Sequence, residues 1–247
     1  MPLIAAHRGA SADAPENTLA SYRLALRQNA DFLEGDFHLT KDGVLVCMHD
    51  DNAKRTCGVE RRIVDMTATE FAALDAGSWK APQFVGEHPP TLAQVLDLIP
   101  KGKGYLLEIK CGPEGVPEMK RVIESSHVSI DQIRLICFKA TVIAESKHVM
   151  PELKAYWLTS FKKDDTGTWR PTKAEVLKTL KDCHADGLDA QANLEVLTPD
   201  FIADLRAAGL EFHAWTVDDP AVAKKLVELG VDSITTNRPG ALREELK

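Results

Sequence analysis

Paired cysteines are the first thing missing from this sequence. Its 247 residues hold five cysteines, at 47, 57, 111, 137 and 183. The number is odd and no C-x-x-C occurs, which argues against both a disulfide framework and a zinc ribbon. A basic excess is missing too: 30 Lys and Arg stand against 37 Asp and Glu, a net charge of −7. Without a cationic surface to offset a polyanion, nucleic acid is not an expected partner. No apolar run approaches bilayer-spanning length, so no stable membrane insertion is expected. The first residues lack the basic region and apolar core of a secretory signal. No low-complexity or linker segment divides the chain. These absences leave a soluble protein of a reducing cytoplasm as the expectation, with its oligomeric state open. At 44% hydrophobic residues the chain can bury a sizeable core.

What is present is an alternation of strand and helix signals. "HADGLDA" reads as a strand and is followed by "TPDFIADLRAAG", where Thr198 suits a helix cap, Pro199 the first turn and Gly209 the end. "LEFHAWTV" is the next strand, and "DDPAVAKKLVELG" repeats the helix grammar from Asp219 to Gly230 before "VDSITT" closes the run. The same grammar places strands near 2–6, 32–36, 104–109, 132–137 and 153–158. Helices fall near 18–29, 91–99, 116–126, 139–149 and 172–182. Eight strands of alternating type predict an α/β fold, a closed (β/α)8 barrel in one domain over residues 1–247.

Two stretches break the alternation. After "LEGD" comes "FHLTKDGVLVCMHDD", whose Asp42-Gly43 is a hairpin signal too short for a crossover helix. With Asp42-Gly43 as a two-residue loop, His49 is expected opposite Asp36, on the same face. Residues 50–90 have too few apolar repeats for a barrel unit, although Thr67 and Glu70 form a capping box. This stretch is expected to be an inserted subdomain or lid, with Phe71 and Trp79 in its small core.

Reactive groups of such barrels sit at the C-terminal ends of the strands. There the sequence sets His7 and Arg8, then Glu34 and Asp36, then Glu108 and Lys110, with His49 added by the hairpin. Residues two apart in a strand share a face. Three carboxylates at one rim repel one another unless a cation joins them, and oxygen ligands without thiolate favour a hard ion, Mg²⁺ or Ca²⁺. Arg8 and Lys110 beside that ion make an anion clamp suited to phosphate. Two flanking histidines suit general acid and base work near neutral pH. The residues therefore point to phosphoryl chemistry with a divalent cation.

The stretches "HRGASADAPENT", "EGDFHLTKDGVLVCMHD" and "LEIK" together resemble the glycerophosphodiester phosphodiesterase family, and "RTCG", "PTLAQVL", "AWTV" and "ITTNRPG" extend the resemblance along the chain. Each motif alone is weak; their order is specific. The resemblance implies a TIM barrel that hydrolyses small-molecule glycerophosphodiesters to sn-glycerol 3-phosphate and an alcohol. It implies His7 and His49 as the catalytic pair and Glu34, Asp36 and Glu108 as metal ligands. Arg8 and Lys110 match phosphate-contacting positions, and Trp215 matches an aromatic wall of the pocket. Asn17 suits a substrate contact and a helix cap equally. A lysophospholipase D-like activity would use the same residues but needs an apolar groove. A non-catalytic phosphodiester-binding barrel would not need both histidines and all three carboxylates, and all five are present.

Three positions depart from the family pattern: Phe37-His38 after Asp36, Cys137-Phe138 for the usual Ser-Phe, and Asn237 for the aspartate of Thr-Asp-Arg-Pro. None is expected to touch the chemistry; the first two bear on the alcohol pocket. His213 is expected to be a buried, hydrogen-bonded histidine of the barrel. The Lys162–Asp165 run reads as a solvated loop.

Overall fold

A computed structural model describes all of residues 1–247. The chain runs β1 (Leu3–Ala6), α1 (Leu19–Arg27), β2 (Phe32–Leu39), β3 (Leu45–Cys47), α2 (Lys54–Cys57), α3 (Ala68–Ala72) and α4 (Leu92–Leu96). It continues β4 (Gly104–Ile109), α5 (Val116–Ser125), β5 (Ile133–Cys137), α6 (Ala140–Val149), β6 (Lys154–Thr159), β7 (Lys162–Lys163), β8 (Trp169–Arg170) and α7 (Lys173–Asp182). It ends β9 (Gly187–Gln191), α8 (Pro199–Ala207), β10 (Glu211–Trp215), α9 (Pro220–Glu228), β11 (Ser233–Thr236) and α10 (Pro239–Glu245).

Eight of these strands are parallel, in the order β1-β2-β4-β5-β6-β9-β10-β11, and the ring closes where Leu3–Ala6 pairs with Ser233–Thr236. The expected barrel is therefore present. Its helices start where side chains catch free backbone N–H groups: Thr198 Oγ1 accepts from Phe201 N, and Asp219 Oδ1 from Ala221 N at 2.8 Å. The helix α10 was not anticipated, because its seven residues carry too short an apolar pattern to read.

The main core lies between strands and helices, with Leu33, Phe37, Leu107, Leu135, Leu188 and Phe212 among its members. The bore holds a smaller cluster of Ala5, Leu106, Ile136, Tyr156 and Leu158. Strands of a parallel barrel are covered on both faces, and β4 is accordingly buried at every residue. The polar side chains among the bore residues then stand out as a site, since burial penalises them without partners.

The hairpin forms, but in a different register from the expected one. Thr40 and Val44 flank a three-residue loop, Lys41-Asp42-Gly43, and Phe37 pairs with Cys47. Asp36 thus faces Met48, whose N–H donates to its carbonyl at 2.9 Å, rather than His49. A two-residue loop was assumed; the third loop residue shifts every pair by one. His49 falls just past the end of β3, where the chain turns toward the barrel mouth.

Residues 50–90 carry α2 and α3, and their Ala53, Ile63, Met66 and Phe71 form a separate apolar cluster with Val46 and Met48 of the hairpin arm. The Thr67–Glu70 capping box is present, and Asp42 of the hairpin accepts from Ala68 N, tying hairpin to insertion. Phe71 is buried as expected, but Trp79 is 41% exposed, its indole donating to the Ala76 carbonyl. The ring lies on the surface, outside the apolar cluster of the insertion. Of the run 162–165, expected as a solvated loop, Lys162 and Lys163 are exposed but pair with Trp169–Arg170 as the small hairpin β7–β8.

Candidate active site

Strand register brings the carboxylates together. Asp36 pairs with Glu108 across β2 and β4, so both point into the bore, and Glu34 shares that face two residues earlier. Donor atoms of the three lie within 4.8 Å of one another, and all three side chains are buried. Gly35 between two of them is required by a close approach: a Cβ there would sit 2.1 Å from the Tyr22 hydroxyl and 2.3 Å from that of Tyr105. Those hydroxyls form a relay. Tyr105 donates to Tyr22, Tyr22 donates to Asn17 Oδ1, and Asn17 Nδ2 donates to Asp36 Oδ2 at 2.9 Å.

Crowded burial sets the proton affinities apart. Burial first, then Asp36 and Glu108, push Glu34 well above the usual carboxylate range. Burial and Asp36 push Glu108 up to about 8. Burial acts on Asp36 too, but Lys110 and Arg8 outweigh it and hold that carboxyl well below its ordinary value. Such a trio is what a hard divalent cation would relieve, because it replaces mutual repulsion with attraction. The donor set, all carboxylate oxygen and deeply buried, fits that ion.

Two cations already stand against the trio. Lys110 Nζ is 2.8 Å from Glu108 and 3.3 Å from Asp36. Arg8 donates its backbone N–H to Glu34 at 2.8 Å, places Nε 3.2 Å from Asp36 and pairs with Glu16 at 2.9 Å. The loop after β1 is tightly turned: Arg8 has φ +54° and Gly9 φ +81°, where a Cβ would meet Ser21 at 2.2 Å. The H-R-G triplet therefore allows the Arg8 backbone and side chain both to face the carboxylates.

The two histidines enter from different sides. His7 Nδ1 lies 2.7 Å from Asn237 Oδ1. Asn237 Nδ2 donates to Asp218 at 2.6 Å, and a carboxylate only accepts, so the amide is oriented with its oxygen toward His7. His7 therefore carries its proton on Nδ1 and leaves Nε2 as an acceptor. Burial, then Arg8, lower its pKa from 6.5. His49 Nδ1 is 2.8 Å from Asp50 Oδ1, and Asp50 is held by Arg55, which also clasps Glu16 with two hydrogen bonds of 2.8 Å. His38 Nε2 lies 3.2 Å from the carbonyl of His49, behind the ring.

These groups share a cavity of about 160 Å³ at the C-terminal end of the barrel. His7, Arg8, Glu34, His49, Glu108 and Lys110 form one side. Trp215, Phe138, Leu158, Ile136, Thr235 and Asp189 form the other. Trp215 donates its indole N–H to the Asp189 carbonyl at 3.1 Å and meets Phe138 edge to face at 5.5 Å.

The structure thus brings His7, Arg8, Glu34, His49, Glu108, Lys110 and Trp215 to one cavity, with Asp36 directly behind its wall. Asn17 is not the helix cap; Thr18 is, and Asn17 is buried with its amide committed to Asp36. His213 is buried and bonded to Ser233 Oγ at 2.7 Å, as expected. Two expectations about the departures change. Phe37 packs in the outer core against Tyr105, away from the cavity, because it alternates with Asp36. Asn237, expected to stand apart from the site, is in contact with His7. Sequence reasoning missed that contact because 230 residues separate the partners and only barrel closure joins them. It also missed Arg55, whose "RTCG" was read without a role, and Asp189, an acid two residues before a strand's end.

A family model for the glycerophosphoryl diester phosphodiesterase family matches residues 7–241. A glycerophosphodiester phosphodiesterase of Bacillus subtilis is 32% identical, covering 96% of this chain and 84% of its own. One from Caldanaerobacter subterraneus is 30% identical, covering 97% and 96%. Among solved structures, a phosphodiesterase of Oleispira antarctica in complex with the product sn-glycerol-3-phosphate superposes with a TM-score of 0.87 at 29% identity, covering 100% of this chain and 97% of its own.

Proposed function

This chain belongs to the glycerophosphoryl diester phosphodiesterase family, and on that premise we propose that it hydrolyses glycerophosphodiesters to sn-glycerol 3-phosphate and an alcohol. One divalent cation, Mg²⁺ or Ca²⁺, would be held by Glu34, Asp36 and Glu108, with His7 and His49 as the acid–base pair. The observation that carries this reading is the buried carboxylate trio, whose Glu34 and Glu108 line one cavity with two cationic side chains and two histidines. The product found with the Oleispira phosphodiesterase supports the same substrate class.

The bound cation would polarise a phosphate oxygen and neutralise charge that builds on phosphorus. Arg8 and Lys110 offer donors to the remaining phosphate oxygens. His7, neutral and with Nε2 free to accept, takes the proton of the nucleophile, which is water or the glycerol's own 2-hydroxyl. As the nucleophile's oxygen bonds to phosphorus, the bond from phosphorus to the leaving oxygen breaks. With water this gives sn-glycerol 3-phosphate directly. With the 2-hydroxyl it gives a cyclic phosphate that water opens in a second displacement, the 2-oxygen then leaving and taking a proton. His49 gives the leaving oxygen a proton, and the Asp50 carboxylate offsets charge on its ring. Trp215 and Phe138 wall the alcohol side. The insertion over 50–90 starts at the residue after His49 and braces that ring through Asp50 and Arg55. Five unpaired thiols fit a reducing cytoplasm.

The test uses chelator-stripped protein and glycerophosphocholine, measuring release of sn-glycerol 3-phosphate with and without Mg²⁺ or Ca²⁺. Release that depends on one ion is expected. Absence of release with either ion, from folded protein, overturns the reading.

A further inference from the structure

We propose that Asp189 is the hydroxyl-recognition residue of this cavity, accepting a hydrogen bond from the glycerol part of the substrate across the bore from the carboxylate trio. The proposal rests on the phosphodiesterase reading above and deepens it to one residue.

The first observation is position. In the eight-strand ring β9 lies four strands from β2, so Asp189 faces the side opposite Glu34 and Asp36. It pairs with Leu158 on β6 and His213 on β10, one layer beneath Trp215. The second is its unmet bonding. Asp189 is 1% exposed, and its Oδ1 is enclosed without any hydrogen-bond partner. The other buried carboxylates here are all engaged: Asp36 by Asn17, Arg8 and Lys110, Glu34 by the Arg8 N–H, and Glu108 by Lys110. Neither ring nitrogen of the neighbouring His213 is hydrogen-bonded to Asp189: Nδ1 lies 2.7 Å from Ser233 Oγ, and Nε2 has Glu211 Oε2 at 3.5 Å.

A buried carboxyl without a partner is destabilising, and native structures retain few of them. This one lines the cavity, so a bound molecule completes its bonding. Its surroundings choose that molecule. Leu158 lies beside it on β6 and His213 on β10, and no Lys or Arg lines that side of the cavity. A small donor at the end of a short chain reaches the floor beneath Trp215; a quaternary ammonium has no hydrogen to donate and is too broad. Burial raises the Asp189 carboxyl to about 6, so near neutral pH the accepting, ionised form is present. A polyol phosphate, anchored by its phosphate at the trio, presents such a hydroxyl.

The experiment compares binding of sn-glycerol 3-phosphate with binding of n-propyl phosphate, which lacks both hydroxyls. Calorimetry is run on the unmutated protein, Asp189→Ala and Asp189→Asn, all with the same divalent cation. A hydrogen bond to a buried charged acceptor discriminates by roughly 10- to 100-fold. The unmutated protein is expected to prefer the glycerol compound by that factor. In Asp189→Ala the preference falls toward one. If that variant does not fold, Asp189→Asn, of the same shape but with one acceptor replaced by a donor, is expected to lose most of the preference. An unchanged preference in a folded variant overturns the proposal, including the case in which Asp189 merely holds a water. The two readings fail separately. Turnover of glycerophosphocholine with an unchanged preference sinks this proposal alone. An Asp189-dependent preference without turnover sinks the phosphodiesterase reading alone.

Discussion

His7 and His49 look into one cavity from supports of different kinds. His7 directly follows β1 and is braced by Asn237, which directly follows β11, the strand that closes the ring. His49 hangs from a hairpin arm outside the ring. Its brace is a chain of charges, Asp50 to Arg55 to Glu16 to Arg8, with Arg55 42% exposed. The barrel therefore holds its histidine by closure, while the insertion holds its histidine by ion pairs that solvent screens. One partner of the proposed acid–base pair is held by topology, and the other only by the contact between insertion and barrel.

The largest expected effect tests whether the two histidines are equals at all. His7→Ala and His49→Ala should each lower kcat by ~10²- to 10⁴-fold on glycerophosphocholine. If they act as a unit, the double variant is scarcely worse than the poorer single one. Near-normal turnover in His49→Ala would remove the insertion from the chemistry.

A smaller effect separates the braces. Arg55→Ala frees Asp50 and Glu16 without touching the cavity, and should cost roughly 10- to 100-fold in kcat through misplacement of His49. The loss should resemble that seen when salt is raised on the unmutated protein, and a kcat indifferent to this substitution would show that His49 is held by other contacts.

On the His7 side, Asn237→Asp puts a carboxylate against the ring and favours its protonated form. Burial and Arg8 hold His7 below 6.5, so as a base it should be active on the acid side of neutrality. In Asn237→Asp the acidic limb of the kcat/KM profile moves to higher pH, by about one unit or more. A limb that stays put would exclude His7 as the base.

The smallest effect concerns stability. Glu108 binds its proton more tightly folded, at about 8, than in the unfolded chain, near 4.5. Stability from this raised value is fully present below pH 4.5 and is lost as pH rises through about 8. Metal-free protein should therefore lose thermal stability across that window, and saturating cation should flatten the dependence by displacing the proton. Calorimetric melting with chelator and with Mg²⁺ or Ca²⁺ checks the sign.

Much of the fold was legible because it rests on local rules. Thr198, Asp219 and the Thr67–Glu70 box cap helices using atoms within three residues of themselves. Glu34 and Asp36 face one way because a strand alternates. The hairpin was legible, its register was not: a two- or three-residue loop depends on which residue turns, and the error moved the partner of Asp36 from His49 to Met48. Phe37 was misassigned to the pocket for want of the face on which β2 packs. Asn237 and Asp189 were invisible as site residues because their neighbours come from strands far along the chain.

By itself the sequence determined the period of the strands, the caps of the helices and the kinds of side chain at the strand ends, since each follows from residues a turn or a pleat apart. Only the tertiary structure decided which of those ends meet. Closing β1 against β11 set Asn237 on His7, the β2–β4 register set Asp36 against Glu108, and the span of the ring set Asp189 across from them. Those distances depend on eight strands sharing one tilt and register, a property no short stretch of chain contains.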